Sequence, residues 1–537
     1  MIPNNEFVLF CGAGISVSAP SNAPLWGPMR DAIIKMSIDR IIDNSARWDQ
    51  PFPMRMEAFA KKKTLKEIAP EVLFHILHSS LAQDDFNNIL DAIGLGTPNK
   101  NHRAIAELSA NKKICAIITT NFDCYIEQSL DDKKIKYELI SDEQDAELWN
   151  KSTKSGDKLA LFKIHGSLHQ KDSIIATLKQ AGRSLSQQKA SVLRELFSNR
   201  NVLIIGYSGH DYDIFPELFE LIKEGVPSQV TISSRGSVRW PLIELLDKEK
   251  SDNIFSLEGI TAEVLFEQIF DKHNIQRIHH EIRKCQNSSW EKHVNTTINR
   301  IPIPDLLMFF GNIALIIGNV EDARSPFFII ARDLAKDALD EQKSLSNIRK
   351  AAEAHAALAR CYVYFGVSIF ADKEIENARQ RYVELGDEYT TDDERILWWC
   401  QTNGRAWLLA NEGKLKDSEG CFLNSIEQAE RFREQEGFRT IGDETLVDAY
   451  IGLGDVLSLQ KKYQEAETVY NNALSVAEEF GSLWLSARAD LALSKISEKN
   501  NKGSHAVHLD NAKRRLSFMG LDVESIINPL NKKRKVT

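Results

Sequence analysis

Residues 7–16, with the sequence FVLFCGAGIS, determine how the N-terminal half of the chain is organised. An apolar run of strand length is halted by two glycines, which predicts the first strand of a parallel sheet turning into a phosphate-binding loop. Gly12 and Gly14 lack a Cβ, so an anion can approach their amides closely beside the positive end of the next helix. A third glycine is missing, with Val17 and Ser18 in its place, so the loop alone fits an ordinary glycine-rich turn equally well.

The composition is that of a globular protein with several domains. The chain has 537 residues, of which 27% are charged and 43% hydrophobic. Its net charge of -9 argues mildly against a dedicated nucleic-acid surface. The seven cysteines are an odd set without a Cys-x-x-Cys pair, so neither a disulfide framework nor a cysteine zinc site is expected.

The N-terminus indicates a cytoplasmic protein. Residues 1–6 run directly into the first predicted strand, without the charged and apolar pattern of a signal peptide. The most apolar segment, residues 306–317, is too short to span a membrane and contains Asn312. We therefore predict that this segment is a buried helix and that the protein has no membrane anchor.

Four further apolar runs each end in small or polar residues. These strand ends are residues 120–123, 165–167, 206–209 and 233–236. Taken singly, they fit helix caps, a core histidine or plain turns. Parallel strands carry their carboxyl ends to one edge of a sheet, and open α/β sheets bind ligands there. Four such ends beside the glycine loop therefore predict one shared site.

The alternation of strands and helices predicts an α/β, Rossmann-like parallel sheet in the N-terminal half. Residues 56–95 interrupt this alternation with amphipathic helices, which predicts an inserted helical module. From about Gln276 the strand pattern disappears and the chain reads as helices. We therefore predict two domains, residues 1–275 and residues 276–537.

These motifs and their order along the chain resemble those of the sirtuin family, and more closely those of the sirtuin-like domains of bacterial anti-phage defence proteins. Pro98 and His102 match the family's Pro-x-x-x-His, and the resemblance covers residues 5–272. The family's Gly-Ala-Gly-x-Ser, Thr-Gln-Asn-Ile-Asp, His-Gly-Ser and Gly-Thr-Ser are similar to residues 12–16, 119–123, 165–167 and 206–208.

Two departures from the family pattern bear on the activity. Protein-deacylating sirtuins carry a four-cysteine zinc module after His-Gly-Ser, whereas this chain has no cysteine between Ser167 and Val202. Their Asp-Phe-Arg is replaced by residues 24–26, where Trp26 either covers a nucleotide or packs in the core. The resemblance therefore implies an NAD glycohydrolase that releases nicotinamide and ADP-ribose without a metal and depletes NAD in abortive infection.

The resemblance also implies a role for each site residue. Asn121 would hold the attacking water or a ribose hydroxyl, His165 would act as general base, and Asp123 would bind the carboxamide of NAD. A histidine suits the base because its reference pKa lies near cellular pH. The remaining contacts to the substrate would be made on the diphosphate by Gly12, Ala13, Gly14 and Ser16, and on the adenosine side by Gly206 and Ser208.

The C-terminal half has the spacing of a tetratricopeptide-like (TPR-like) helical repeat. Trp484 follows Tyr450 by 34 residues (484 − 450), which is the repeat period. A weaker unit precedes it at residues 406–425, and an irregular helical bundle is the alternative. The residues at the packing positions of the repeat are Tyr450, Leu453, Gly454, Leu457, Ala466, Tyr470 and Ala473.

Helical repeats present extended surfaces to partners. An enzyme that drains NAD would harm its host if it were always active. We therefore expect the C-terminal half to restrain the enzyme until a protein partner or a phage-derived trigger binds. The same reasoning leads us to expect an oligomer or a hetero-complex.

Two other functions remain open. A non-catalytic sensor would hold NAD or ADP-ribose and signal through the helical half. Asn121 and His165 favour catalysis over sensing because a pure binder needs neither. A protein deacylase is disfavoured because the zinc cysteines are missing.

Overall fold

The computed structural model divides into two compact units, the first within Met1–Met36 and Ala82–Arg300 and the second within Ser37–Leu81 and Ile301–Thr537. The domain boundary predicted at residue 275 adjoins residues 276–288, which lie outside the described residues. The structure describes residues 5–44, 51–61, 65, 68, 70–151, 158–174, 185–209, 211, 213–239, 241–246, 253–275, 289–316, 323–388, 390, 393–394, 396, 398, 400–434, 439–480, 482–500, 503–519 and 521.

A seven-stranded sheet forms the centre of the first unit. Every pair of neighbouring strands is parallel, and the order is β3-β4-β2-β1-β5-β6-β7. This confirms the predicted α/β parallel sheet. The strands are β1 Phe7–Cys11, β2 Ile114–Thr119, β3 Tyr137–Ile140, β4 Leu159–Lys163, β5 Asn201–Ile205, β6 Gln229–Ser234 and β7 Ile254–Glu258.

Strand β1 lies in the middle of the sheet, and all five of its residues are buried. It pairs with β2 on one side and β5 on the other, so Cys11 lies opposite both Thr119 and Ile205. The glycine loop therefore leaves the sheet between the ends of β2 and β5. This is the edge at which open α/β sheets bind ligands.

Strands β3 and β7, which the sequence analysis did not identify, form the two edges of the sheet. Their residues are mostly half-buried or exposed, whereas the central strands are buried along nearly their whole length. An edge strand needs fewer apolar residues, so its sequence pattern is weaker.

Helices surround the sheet and make up the second unit. Within the described ranges, none of them is long and apolar enough to cross a bilayer. The α-helices are α1 Trp26–Asp43, α2 Pro51–Ala60, α3 Pro70–Ser80, α4 Gln83–Asp91, α5 Lys100–Ala110, α6 Tyr125–Asp132, α7 Glu143–Lys151, α8 Gln187–Phe197, α9 Phe215–Lys223, α10 Ala262–Lys272, α11 Trp290–Ile298, α12 Ile303–Ile316, α13 Ile329–Glu341, α14 Leu345–Phe365, α15 Ser368–Val383, α16 Arg405–Asn411, α17 Leu415–Glu434, α18 Arg439–Leu459, α19 Tyr463–Phe480, α20 Leu483–Lys499 and α21 His505–Phe518.

The second unit is helical in its described residues, which confirms the predicted helical C-terminal half. It also includes residues 37–81, most of which had been predicted to belong to a module inserted in the N-terminal domain. Here α3 packs on α12, and the ring of Phe59 lies 5.0 Å from that of Phe327 and 6.2 Å from that of Phe310. Aromatic packing within the second unit thus covers the apolar faces of these helices.

Successive helices pack closely where a glycine faces an aromatic ring. A Cβ at Gly454 in α18 would overlap the ring of Tyr470 in α19, and one at Gly452 would overlap the ring of Phe422 in α17. The two rings belong to one buried cluster together with Leu453. Gly454 and Tyr470, two of the predicted packing positions, therefore face each other across α18 and α19.

We expect Gly454→Ala to lower the free energy of unfolding by about 1–3 kcal/mol, because the added methyl overpacks the α18 and α19 contact. Gly420→Ala is the matched control, since Gly420 is also helical but has open space around its Cβ position. The control should be neutral or gain about 0.5–1 kcal/mol from helix propensity. Denaturant unfolding of both variants measures the difference, and equal stabilities would contradict the packing described for Gly454.

Candidate functional site

The glycine loop after β1 contacts the turn after β5 at backbone distance. The amide of Gly14 donates to the carbonyl oxygen of Gly206 at 2.9 Å. A Cβ on Gly12 would lie 2.8 Å from that oxygen, and one on Gly14 would lie 2.8 Å from the Cα of Gly206. Gly206 itself has a φ of 65°. These glycines therefore permit two loops to meet, a structural role that the sequence analysis did not assign to them.

The hydroxyl of Ser16 joins three of the predicted motifs. Its Oγ donates to Oδ2 of Asp123 at 2.8 Å and accepts from Nδ2 of Asn121 at 3.2 Å. It also lies 3.0 Å from Nε2 of His102. All four side chains are buried. The structure therefore brings together residues from the glycine loop, from the turn after β2 and from the start of α5.

Asp123 is occupied by partners within the protein. Besides Ser16 on Oδ2, its Oδ1 accepts the backbone N–H of Tyr125 at 3.2 Å. Burial raises the pKa of this carboxyl, and the nearby charge of Lys163 opposes that rise. Asp123 is thus an acceptor for hydrogen bonds within the protein.

Lys163, at the end of β4, is a residue that the sequence analysis missed. Its side chain is fully buried, and Nζ donates to the carbonyl oxygen of Asp123 and to Oε1 of Glu127, both at 2.6 Å. It also donates to Oγ of Ser167 at 3.1 Å. One ammonium group thus holds the turn after β2, helix α6 and the His-Gly-Ser turn together. A lysine inside an otherwise apolar strand was the signal in the sequence.

His165 is paired with Asp213, which was also missed. Nε2 of His165 lies 3.1 Å from Oδ2 and 3.2 Å from Oδ1 of Asp213, and both side chains are buried. Among the described residues, Nδ1 of His165 has no hydrogen-bond partner. The carboxylate therefore holds one edge of the imidazole ring.

The charges around His165 determine its protonation. Burial by itself would lower its pKa, but the charge and hydrogen bonds of Asp213 and the charge of Asp211 outweigh burial. The positive charge of Lys189 acts in the same direction as burial, and the net effect raises the pKa of His165 to about 9. The imidazole is therefore mostly charged at neutral pH.

Asn121 and His165 follow the ends of two neighbouring, paired strands. Thr119 at the end of β2 is in register with Lys163 at the end of β4, and each site residue follows two positions later. The ring of Phe122, the residue after Asn121, lies 6.2 Å from that of His165. The carboxamide oxygen of Asn121 is buried and has no hydrogen-bond partner among the residues that the structure describes. It is therefore an acceptor without a donor at the carboxyl edge of the sheet.

The remaining predicted residues lie around this edge. The ring of Trp26 packs edge-on against Phe122 at 5.7 Å, which places it beside the turn after β2. Beyond β5, Tyr207 is buried with its ring 4.9 Å from that of Phe10, whereas Ser208 is exposed. Ala13 is half-buried in the short helical turn Ala13–Ile15.

Comparison with known proteins identifies the middle of the first unit. Residues 115–249 match the family described as SIR2-like domain, a segment of 135 residues (249 − 115 + 1) or a quarter of the chain. No curated protein matches the chain. The matched segment contains Asn121, His165 and Asp213, whereas the glycine loop lies outside it. This part of the chain is therefore SIR2-like, in agreement with the predicted sirtuin resemblance and consistent with an NAD-related activity.

Proposed function

We propose that the SIR2-like part of this chain hydrolyses NAD to nicotinamide and ADP-ribose. One observation carries the proposal: the unpaired carboxamide oxygen of Asn121 lies one strand away from an imidazole held by Asp213. A free acceptor beside an oriented base suits a reaction that must position a hydroxyl group and remove its proton.

The chemistry assigns a separate task to each group. The bond between nicotinamide and ribose breaks, both bonding electrons leave with the neutral pyridine, and positive charge develops on the ribose. Water then forms the new bond to that carbon and gives up one proton. We assign Oδ1 of Asn121 to hold the water or a ribose hydroxyl, and Nδ1 of His165 to accept the proton directly or through that hydroxyl. Asp213 stabilises the resulting imidazolium.

The network modifies two of the predicted contacts. Ser16 uses its proton and both lone pairs on Asp123, His102 and Asn121, so we assign its hydroxyl to holding Asn121 rather than to the diphosphate. Asp123 is engaged by Ser16 and Tyr125 and supports the same network. The amides of Gly12 and Gly14 donate to the carbonyl oxygens of Ile205 and Gly206, so we assign these glycines to admitting the diphosphate through their lack of a Cβ and not through those amides. The diphosphate contact at Ala13 and the adenosine contacts at Gly206 and Ser208 remain part of the proposal.

A sensor that binds NAD or ADP-ribose without turnover is the second candidate. The observation that favours it is the raised pKa of His165, since a charged imidazole cannot accept a proton. With a pKa of about 9, only a small fraction of the side chain is neutral at pH 7. If His165 is a catalytic base, the rate of NAD hydrolysis should therefore rise with pH, whereas a sensor should show no hydrolysis as the pH rises.

We further propose that NAD loss serves anti-phage defence in the cytoplasm, with the helical C-terminal half as a TPR-like regulatory module. Close glycine-to-aromatic packing between successive helices supports a repeat-like array. An oligomer or a hetero-complex with a protein partner would supply the control that such an enzyme requires.

His165→Ala and Asn121→Ala should each abolish nicotinamide release while leaving the thermal midpoint of unfolding close to that of the parent. Nicotinamide is quantified by chromatography after incubation of purified full-length protein with NAD. His169→Ala is the matched control, because His169 is exposed and only four residues from His165. Turnover retained in either site variant would remove the assignment.

The rate of NAD hydrolysis should rise about tenfold per pH unit between pH 6 and pH 8. The sign follows from the raised pKa: the base is protonated below about pH 9, so its neutral fraction grows with pH. Asp213→Asn removes the strongest influence raising the pKa, so its profile should level off at lower pH and at a smaller maximum. Samples without protein correct for the alkaline breakdown of NAD. A wild-type rate that stays constant from pH 6 to pH 8 would contradict His165 as the base.

The purified full-length chain should release nicotinamide slowly by itself and faster after addition of extract from phage-infected bacteria. Extract from uninfected cells is the control for the trigger, and the His165→Ala variant corrects for other NAD-consuming enzymes in the extract. Full turnover by the isolated chain, unchanged by either extract, would contradict restraint by the helical half.

A further inference from the structure

His102 has a single proton position that is determined by its surroundings. Its Nδ1 accepts the backbone N–H of Asn99 at 3.1 Å, as part of a capping box at the start of α5. A backbone N–H can only donate, so Nδ1 carries no proton. The hydroxyl of Ser21 also lies 3.4 Å from Nδ1, but its own proton goes to the carbonyl oxygen of Thr97. Burial lowers the pKa of His102 to about 3, so the ring is neutral and its one proton lies on Nε2.

This proton determines the direction of the next hydrogen bonds. Nε2 of His102 donates to Oγ of Ser16 at 3.0 Å, and the hydroxyl of Ser16 donates to Oδ2 of Asp123 at 2.8 Å. A hydroxyl has one proton and two lone pairs, so one lone pair remains. Within the described part of the chain, the NH₂ group of Asn121, at 3.2 Å, is the donor that fills it.

The other end of the chain of hydrogen bonds is also defined. Asp123 accepts from Ser16 on one oxygen and from the backbone N–H of Tyr125 on the other. Burial raises the pKa of Asp123, but the ammonium group of Lys163 and the hydrogen bonds from Ser16 and from the backbone N–H of Tyr125 oppose that rise and favour the ionised carboxylate. The chain of hydrogen bonds thus starts at the N–H of Asn99, which can only donate, and ends at the carboxylate of Asp123, which accepts. These two ends determine the donor and the acceptor in each hydrogen bond between them.

We propose that His102 is a positioning residue that, through Ser16, turns the carboxamide oxygen of Asn121 toward the ligand. The unpaired, buried Oδ1 of Asn121 is the observed result. The site therefore selects a hydrogen-bond donor at this point, a hydroxyl group or water, and rejects an acceptor. The identity of that donor in NAD rests on the proposed function, whereas the direction of the hydrogen bonds does not.

The alternative role for His102 is only to cap α5. A cap needs the acceptor at Nδ1 and makes no use of Nε2. Gln and Glu at this third helical position both accept the Asn99 N–H, so either substitution preserves the cap. Gln can also donate to Ser16, whereas Glu offers only a second acceptor. His102→Gln and His102→Glu thus differ in polarity at nearly equal volume.

The first test is the tautomer, read from ¹⁵N chemical shifts of histidine side chains in the full-length protein. The signal lost in His102→Gln identifies His102 among the 13 histidines. We expect a neutral ring with the proton on Nε2, unchanged from pH 5 to pH 9. A proton on Nδ1, or titration within this range, would overturn the proposal whether or not the protein hydrolyses NAD.

The second test is the affinity for ADP-ribose, measured by calorimetry on the full-length protein. The affinity of His102→Gln should stay within about threefold of that of the parent. His102→Glu should bind ADP-ribose about tenfold or more weakly, because a second buried acceptor would then face Ser16 in place of a donor. In a Ser16→Ala background the difference between Gln and Glu should shrink to about twofold, because the link to Asn121 is gone.

If His102→Glu weakens binding by the same factor in the Ser16→Ala background, the new charge acts directly on the ligand and not through Ser16. If His102→Gln and His102→Glu bind equally well, Nε2 of His102 is not used. Either result would overturn the role of His102. A parent protein that binds neither ADP-ribose nor NAD would refute the proposed function instead, and the tautomer would still decide the direction of the hydrogen bonds.

Discussion

A fully buried ammonium group has to be hydrogen-bonded and paired, and that requirement at Lys163 organises the carboxyl edge of the sheet. Its partners come from the turn after β2, from α6 and from the His-Gly-Ser turn. Loss of Glu127 would leave the ammonium charge without its ion-pair partner in the interior. The positions of Asn121 and His165 therefore depend on an interaction that neither residue makes.

Two separate arrangements of charges and hydrogen bonds occur at this edge of the sheet. On the side of Ser16, neutral and ionised groups form one directed set of hydrogen bonds that ends in the free oxygen of Asn121. On the side of His165, a carboxylate holds the ring and raises its pKa to about 9. The first arrangement selects what binds, and the second provides the capacity to accept a proton. Both are fixed before any ligand arrives, which is how proteins lower the cost of reorganisation.

The second unit depends on steric fit instead of charge. Gly452 and Gly454 leave room for the rings of Phe422 and Tyr470, so three successive helices lie closer than larger side chains would allow. The grouping of residues 37–81 with this unit follows the same principle, because the apolar face around Phe59 is covered by Phe310 and Phe327. Amphipathic periodicity in the sequence predicted these helices but carries no information about which surface they cover.

The sequence by itself determined the parallel sheet, the glycine loop and the residues at the strand ends, because buried strands and tight turns are local patterns of apolar residues and glycine. Tertiary structure decided the partnerships. Asp213 is 48 residues from His165, and Ser16 is 105 residues from Asn121, so no local pattern relates either pair. A buried lysine inside an apolar strand gives a signal, but its partners follow only from the fold. The proton on His102 likewise depends on the backbone N–H of Asn99 and on burial, which exist only once α5 is packed against the glycine loop.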